Sequence, residues 1–104
     1  MRSYNGFSAK QRRRALRWMR TSGAPLPHRP CDLCRAPDAK PHSESYAEPF
    51  GDHVGAYSLC GRCHRAVHTR VRYPIAWTRL RIIAAKAGRL AVAEAIENGH
   101  PFPP

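Results

Sequence analysis

Four cysteines constrain the fold of this 104-residue chain more than any other feature of its sequence. They form two pairs, Cys31 with Cys34 and Cys60 with Cys63, and the members of each pair are separated by two residues. Two thiolates at this spacing can bind one metal ion from a single turn of backbone, and two such turns complete the tetrahedral coordination of zinc. We therefore predict a structural Zn²⁺ ion bound by all four cysteines.

Disulfide bonds and a redox-active Cys-x-x-Cys motif are the alternative uses of these cysteines. The first residues lack the apolar run of a secretory signal, so we expect an intracellular, cytoplasmic protein whose thiols remain reduced. A redox motif needs one cysteine pair, whereas this chain has two. A chain of this length buries a small core, and zinc would supply the cross-link that such a core lacks.

The basic residues make a polyanion the expected partner. The net charge is +11, from 18 Lys and Arg against 7 Asp and Glu, and 15 of the cations are arginines. Residues 1–30 carry a charge of +8, residues 31–63 carry −2, and residues 64–104 carry +5. Guanidinium groups form paired hydrogen bonds with phosphate and with guanine. We therefore predict a nucleic-acid partner, with DNA as the expected nucleic acid. We predict no membrane association, because no apolar run is long enough to span a bilayer.

An Arg-rich arm, residues 1–30, is the first of three segments in a single expected domain. We expect its first seven residues to fray and residues 9–21 to form a helix. Ser8 is the predicted N-cap of this helix, with Gln11 as its capping-box partner. The predicted contacts with nucleic acid are arginines of this helix and of the later segments, namely Arg12, Arg13, Arg14, Arg17, Arg20, Arg65, Arg70 and Arg72.

Residues 31–70 form the predicted zinc module. Short strands are expected within residues 38–46 and 54–59. The residues between these two stretches include Pro49 and Gly51 and are expected to form a loop. A helix is then expected to run from the second cysteine pair through His68. Strands and helices both occur in this short module, so the expected fold class is a small α+β zinc-binding domain flanked by N-terminal and C-terminal helices.

Residues 71–104 form the predicted C-terminal helical segment. Pro74 suits the first turn of a helix, and the apolar residues after it recur at helical spacing. Gly88 interrupts this pattern, and residues 89–98 continue it as a second helix. The Pro-rich tail that follows is expected to be loose. We therefore expect this segment to add two helices whose apolar faces extend the core.

Three histidines raise the possibility of a second metal site. His64 follows Cys63 directly and His68 lies four residues later, so the two imidazoles share one face of the predicted helix. His42 lies upstream on the first predicted strand, and a hairpin followed by the helix would bring it close to the other two. Such a cluster could hold a divalent ion that polarises a phosphate group. The alternative is that His64 caps the cysteine pair and His68 is a surface residue.

These motifs resemble those of HNH endonucleases, also called His-Me finger nucleases, in the zinc-stabilised subtype found in phages and mobile elements. The resemblance covers about residues 31–70 and is carried by Cys31-x2-Cys34, by His42-Ser-Glu-Ser-Tyr46 with Pro49, and by Leu59-Cys-x2-Cys63-His64-x3-His68. It implies a ββα-metal finger merged with a treble-clef zinc site. His64 and His68 would bind a second divalent ion such as Mg²⁺, Mn²⁺, Ni²⁺ or Zn²⁺, and His42 would be the general base.

Two alignments with the family remain open at its upstream motif. If His42 is the base, Pro41 stands where a metal ligand is expected. If Tyr46 is held in register, His42 becomes the ligand and Ser43, a poor base at neutral pH, stands at the position of the base. Gly55 stands where the family carries an Asn that pins the loop with the base. Both alignments therefore predict weakened catalysis.

The leading hypothesis is a non-catalytic or weakly catalytic zinc module that binds nucleic acid through its Arg-rich flanking helices. If the nucleic acid is DNA, we expect the protein to be associated with the nucleoid. The alternative is an active metal-dependent DNA endonuclease or nickase, in which Glu44 and Asp52 compensate as metal ligands. A third interpretation is a protein-interaction or inhibitor module that binds an acidic partner. A count of metal ions per chain would separate a structural finger from one with a second, phosphate-directed site.

Overall fold

A two-stranded antiparallel sheet and the helix that follows it form the centre of the fold. In the computed structural model, which describes residues 3–104, strand β1 (Lys40–His42) pairs with strand β2 (Tyr57–Leu59). His42 lies opposite Tyr57 in this register. Helix α2 (Gly61–His68) begins after its N-cap residue Cys60, so the hairpin leads directly into the helix.

Helices precede and follow this centre. Helix α1 (Ala9–Thr21) begins with the predicted capping box: Ser8 Oγ accepts a hydrogen bond from the backbone N–H of Gln11, and Gln11 Oε1 accepts one from the backbone N–H of Ser8. Helices α3 (Pro74–Lys86) and α4 (Leu90–Glu97) follow α2. Within residues 3–104 the architecture is therefore α+β, with four helices and one two-stranded sheet.

The turn between α3 and α4 lies where the sequence predicted a break. Gly88 has a φ of +73°, a left-handed conformation that a side chain would strain. Pro74 occupies the start of α3, as expected for a residue without an N–H to donate. None of the helices in the described part of the chain is long and apolar enough to cross a bilayer.

The core lies between the hairpin, α2 and the C-terminal helices. Tyr57 and Leu59 of β2, Val67 of α2 and Ile96 of α4 are each at most 1% exposed. Leu33, between the first two cysteines, is fully buried, Cys31 is 2% exposed, and Cys34 is half-buried against the core. The apolar faces predicted for the two C-terminal helices are therefore turned inward, and the first cysteine pair is part of the core.

Residues 3–7 and the C-terminal tail are held more firmly than expected. Tyr4 is 7% exposed and exchanges backbone hydrogen bonds of 3.0 and 2.9 Å with Phe7, so the expectation of a frayed start is wrong for residues 3–7. Residues 1 and 2 lie outside the described residues. In the tail, the Tyr57 hydroxyl donates to the backbone oxygens of His100 and Phe102 at 2.8 and 3.1 Å. These long-range contacts leave no periodic signal in the sequence.

Candidate metal centres

The first candidate metal centre consists of four cysteine sulfurs. The Sγ atoms of Cys31, Cys34, Cys60 and Cys63 all lie within 4.8 Å of one another, and those of Cys34 and Cys60 are 3.6 Å apart. All four cysteines are free thiols, so the disulfide alternative is wrong for this structure. Sulfurs bound to one zinc ion lie about 3.8 Å apart, because each Zn–S bond is about 2.3 Å long and the angles are tetrahedral. The cluster therefore fits a structural metal such as zinc.

The electrostatics of the cluster favour a bound cation. Cys31 accepts a hydrogen bond from the Cys63 thiol, and this bond lowers the pKa of Cys31 to about 4. The same bond, together with burial, raises the pKa of Cys63. Thiolates this close repel one another unless a cation lies between them. Arg62 adds a further positive charge: its guanidinium forms a hydrogen bond with Cys34, which raises the pKa of Arg62.

A buried carboxylate, which the sequence analysis did not single out, joins the first cysteine pair to the hairpin. Asp32 is 2% exposed, and its Oδ2 accepts a 2.8 Å hydrogen bond from the backbone N–H of Ser58. Arg29 donates to both oxygens of Asp32, at 2.7 and 2.8 Å. The acid residue next to Cys31 therefore fixes one half of the cysteine cluster against β2, which carries the chain toward the other half.

The second candidate metal centre consists of three histidines. Nitrogen atoms of His42, His64 and His68 lie within 4.8 Å of one another, and the Nε2 atoms of His64 and His68 are 2.9 Å apart. His42 stands at the end of β1, while His64 and His68 lie one turn apart on α2. The hairpin and helix thus bring together the three imidazoles that the sequence singled out.

The ring nitrogens of this cluster are suited to a metal ion. Burial is the main cause that lowers the pKa of His64 to about 4 and that of His68 to about 3. Both rings are therefore neutral near pH 7 and offer lone pairs. His42 Nε2 contacts Glu44, whereas His42 Nδ1 is buried without a hydrogen-bond partner among the described residues. Nδ1 is thus the nitrogen that His42 has available for an ion.

Neither Glu44 nor Asp52 joins a group of candidate ligand atoms in the described part of the chain. Asp52 is exposed, and the Glu44 carboxylate is fully buried among hydrogen-bond donors. The residue after His42 is also not a base: the Ser43 hydroxyl accepts a 2.6 Å hydrogen bond from the backbone N–H of Gly55. The histidine cluster therefore has three metal-binding groups and no free general base at the position next to His42.

Solvent reaches the histidine cluster from two sides, and arginines line both openings. A pocket of about 530 Å³ is lined by His68, Arg70 and Arg72, among others. A second pocket, of about 470 Å³, is lined by His64 and Arg65 together with Lys40. An ion held by the histidines would therefore be reached through pockets that attract anions.

The arginines predicted to contact nucleic acid differ in their exposure. Arg13, Arg14, Arg17 and Arg20 are exposed on α1 and line a groove of about 490 Å³, and Arg14 also pairs with Glu48 at 2.9 Å. Arg12 is half-buried, with its guanidinium 5.8 Å from the centre of the Tyr46 ring. Arg65 and Arg72 are exposed, whereas the side chain of Arg70 is only 11% exposed and donates to groups of the interior. The exposed members of this set are the ones available to a ligand.

The chain was also compared with known proteins. It matches no family model, no curated protein and no solved structure at a significant level. The two ligand clusters, the arrangement of charge around them and the motifs of the sequence are therefore the basis for a functional proposal.

Proposed function

We propose that this chain is a zinc-stabilised nucleic-acid-binding protein with an HNH-like, treble-clef finger that is non-catalytic or weakly catalytic. The observation that carries the proposal is the position of the three-histidine cluster, which opens into pockets lined by arginines. A divalent ion and guanidinium groups share one ligand, the phosphate group. DNA is the expected nucleic acid, in a reducing compartment such as the cytoplasm, where four thiols remain free to bind zinc.

The backbone of the nucleic acid would lie across the exposed arginines. Four of these arginines lie along the surface of α1. Among these four, only Arg14 pairs with a carboxylate in the described part of the chain. Contacts of this kind go to phosphates and carry little sequence information. Arg65 and Arg72, beside the two pockets, would continue the phosphate contacts from α1 to the histidine cluster. We therefore expect binding that depends steeply on salt and weakly on sequence.

The residue that follows His42 supports weak or absent catalysis, because the Ser43 hydroxyl is a poor base and already bonds the backbone of Gly55. Efficient hydrolysis needs a group that removes a proton from the attacking water, and such a group contributes about 10²–10⁴-fold in rate. The contacts favour the alignment in which His42 is a ligand and Ser43 stands at the position of the base, since Ser43 bonds Gly55 and His42 joins the other histidines. The alternative, an HNH-type DNA endonuclease or nickase, is favoured only by the fit of three imidazoles to a divalent ion.

Metal stoichiometry tests the histidine site. After saturation with Zn²⁺ and removal of free ion, we expect two ions per wild-type chain and one per chain of the His68→Ala variant, because the cysteine site is untouched. His28→Ala, an exposed histidine outside both clusters, is the control and should retain two. Elemental analysis against protein concentration gives the count. A wild-type chain that holds a single ion would contradict the histidine site.

Cleavage of supercoiled plasmid separates the two candidate functions. With Mg²⁺, Mn²⁺ or Ni²⁺ we expect little or no nicking under conditions in which the protein binds the plasmid. The double variant His42→Ala/His68→Ala provides the background, because cleavage that survives in it comes from a contaminant or from another site. Rapid nicking by the wild type that disappears in the double variant would contradict the non-catalytic proposal and support the alternative, a DNA endonuclease or nickase.

A further inference from the structure

We infer, on the basis of the proposed histidine metal site, that Glu44 is the positioning residue of that site and that the N-terminal turn of residues 3–7 holds Glu44 in place. Glu44 would not bind the ion itself. It would fix the orientation of His42, so that one ring nitrogen faces the ion. The turn would hold the Glu44 carboxylate through hydrogen bonds from Tyr4 and Asn5.

Glu44 receives hydrogen bonds from separate parts of the chain although its side chain is 0% exposed. Its Oε2 atom accepts from the Tyr4 hydroxyl and contacts His42 Nε2. Its Oε1 atom accepts from Asn5 Nδ2 at 2.9 Å and from Arg70 at 3.3 Å. A buried carboxylate is destabilising unless its oxygens are satisfied in this way. The position of Glu44 is therefore determined by several donors at once.

The contact with Glu44 determines which nitrogen of His42 can bind a metal. A neutral imidazole carries hydrogen on one ring nitrogen and a lone pair on the other. Because a carboxylate lies against Nε2, that nitrogen carries the hydrogen and donates it. The lone pair is then on Nδ1, the atom that is buried without a partner in the described residues. A carboxylate behind a metal-binding imidazole fixes the ring and raises its basicity.

The N-terminal turn reaches both sides of the histidine cluster. Tyr4 and Phe7 pair through their backbones, and Asn5 and Gly6 between them have φ values of 51° and 83°. Two positive φ values at the centre of a turn are typical of an Asn-Gly type I′ turn. The Tyr4 ring centre lies 4.5 Å from that of His68. The turn therefore contacts His68 of α2 directly, and it contacts His42 both directly, with the Tyr4 hydroxyl 3.4 Å from Nε2, and through Glu44.

Arg70 fastens the turn to the segment after α2. Its Nη1 donates to the Tyr4 hydroxyl at 2.7 Å, and its Nη2 donates to Asn5 Oδ1 at 3.2 Å. The same Nη2 lies 3.2 Å from the backbone oxygen of Ile96 in α4. Because Arg70 also contacts Glu44, one guanidinium connects the turn, the carboxylate and the C-terminal helices. These contacts give a function to residues 3–7, which the sequence pattern left unassigned.

Co²⁺ titration of protein that carries one zinc ion per chain, at the cysteine cluster, followed by visible absorption and by calorimetry, tests this inference. Glu44→Gln keeps the size of the side chain but replaces an accepting oxygen by an NH₂ group that cannot accept from His42. We expect its dissociation constant for Co²⁺ to rise about 10–100-fold, as for other lost partners of metal-binding histidines. Tyr4→Phe removes one donor and should give a several-fold rise, and Glu44→Asp should recover part of the affinity.

Two controls separate positioning from a general loss of stability. Glu48→Gln makes the same change of charge at an exposed carboxylate and should leave the Co²⁺ affinity unchanged. Leu80→Ala removes a buried side chain of α3, lowers the melting temperature and should also leave the affinity unchanged where the protein is folded. A Glu44→Gln variant with wild-type affinity would overturn the inference.

Each remaining outcome also decides a question. If Glu44→Gln does not fold, Tyr4→Phe decides: a several-fold loss of Co²⁺ affinity supports the inference, and an unchanged affinity overturns it. If the wild type with one zinc ion per chain takes up no Co²⁺, the proposed histidine site itself is wrong. Failure of the positioning role and failure of the metal site are therefore distinguishable in one set of titrations.

Discussion

Removal of zinc is expected to unfold the chain. Structural zinc in small domains contributes about 10–16 kcal/mol of binding free energy, which is as large as the whole stability of an ordinary domain, about 5–15 kcal/mol. Here three of the four cysteines are buried, and Leu33 between the first two is fully buried. Without the ion, these segments lose the cross-link that holds them against β2 and α2.

Cys63→Ser is the matching variant. Cys63 is fully buried at the start of α2, and serine leaves a weak ligand in its place. We expect a strong chelator, or this substitution, to abolish the cooperative thermal transition seen by circular dichroism, and we expect added zinc to restore it only in the chelated wild type. His68→Ala, which alters the other cluster, should retain the transition. A chelated wild type that still melts cooperatively at its original temperature would contradict a structural zinc ion.

Loss of arginines from α1 is expected to weaken nucleic-acid binding by a large factor. Each arginine that contacts a phosphate of duplex DNA contributes about 0.9 to the slope of log K against log salt concentration. The triple variant Arg13→Gln/Arg17→Gln/Arg20→Gln should therefore lower this slope by about 2.7 and reduce the affinity about a hundredfold near 0.15 M salt. Glutamine keeps a good helix former at each position, so α1 should remain folded.

A matched pair of single variants controls for the general loss of charge. Arg17→Gln removes an exposed arginine from the groove along α1, and its expected slope change is about 0.9. Arg81→Gln removes an arginine that already pairs with Glu97, so its slope should hardly change. Fluorescence anisotropy over a series of salt concentrations measures both slopes. Equal effects of the two substitutions would contradict a phosphate path along α1, and binding that does not depend on salt would contradict the proposed function.

Local features of the fold could be predicted from the sequence because their signals lie within a few residues. The capping box of α1 needs only Ser8 and Gln11, three residues apart, and both hydrogen bonds are present. The spacing within each cysteine pair also predicted a metal-binding turn, and the four sulfurs do lie together. Backbone geometry largely determines such short-range patterns, so residue types at fixed offsets are sufficient to recognise them.

The surroundings of the histidine site could not be predicted because they depend on contacts between distant residues. Tyr4 meets Arg70 across 66 positions, and Asn5 meets Glu44 across 39. Arg70 illustrates the difficulty: its charge suggested a phosphate contact, yet its side chain is largely buried with Glu44. Composition and spacing indicate which residues are polar, but only the packing of the chain determines which of them face ligand and which face one another.

The central claim is that one tetrahedral ion held by two cysteine pairs positions the hairpin and the histidine-bearing helix. X-ray absorption at the zinc edge, on reduced protein that carries one zinc per chain, tests it most directly. We expect four sulfur neighbours at about 2.3 Å. A first coordination sphere dominated by nitrogen or oxygen, or fewer than four sulfurs around the ion, would contradict the claim.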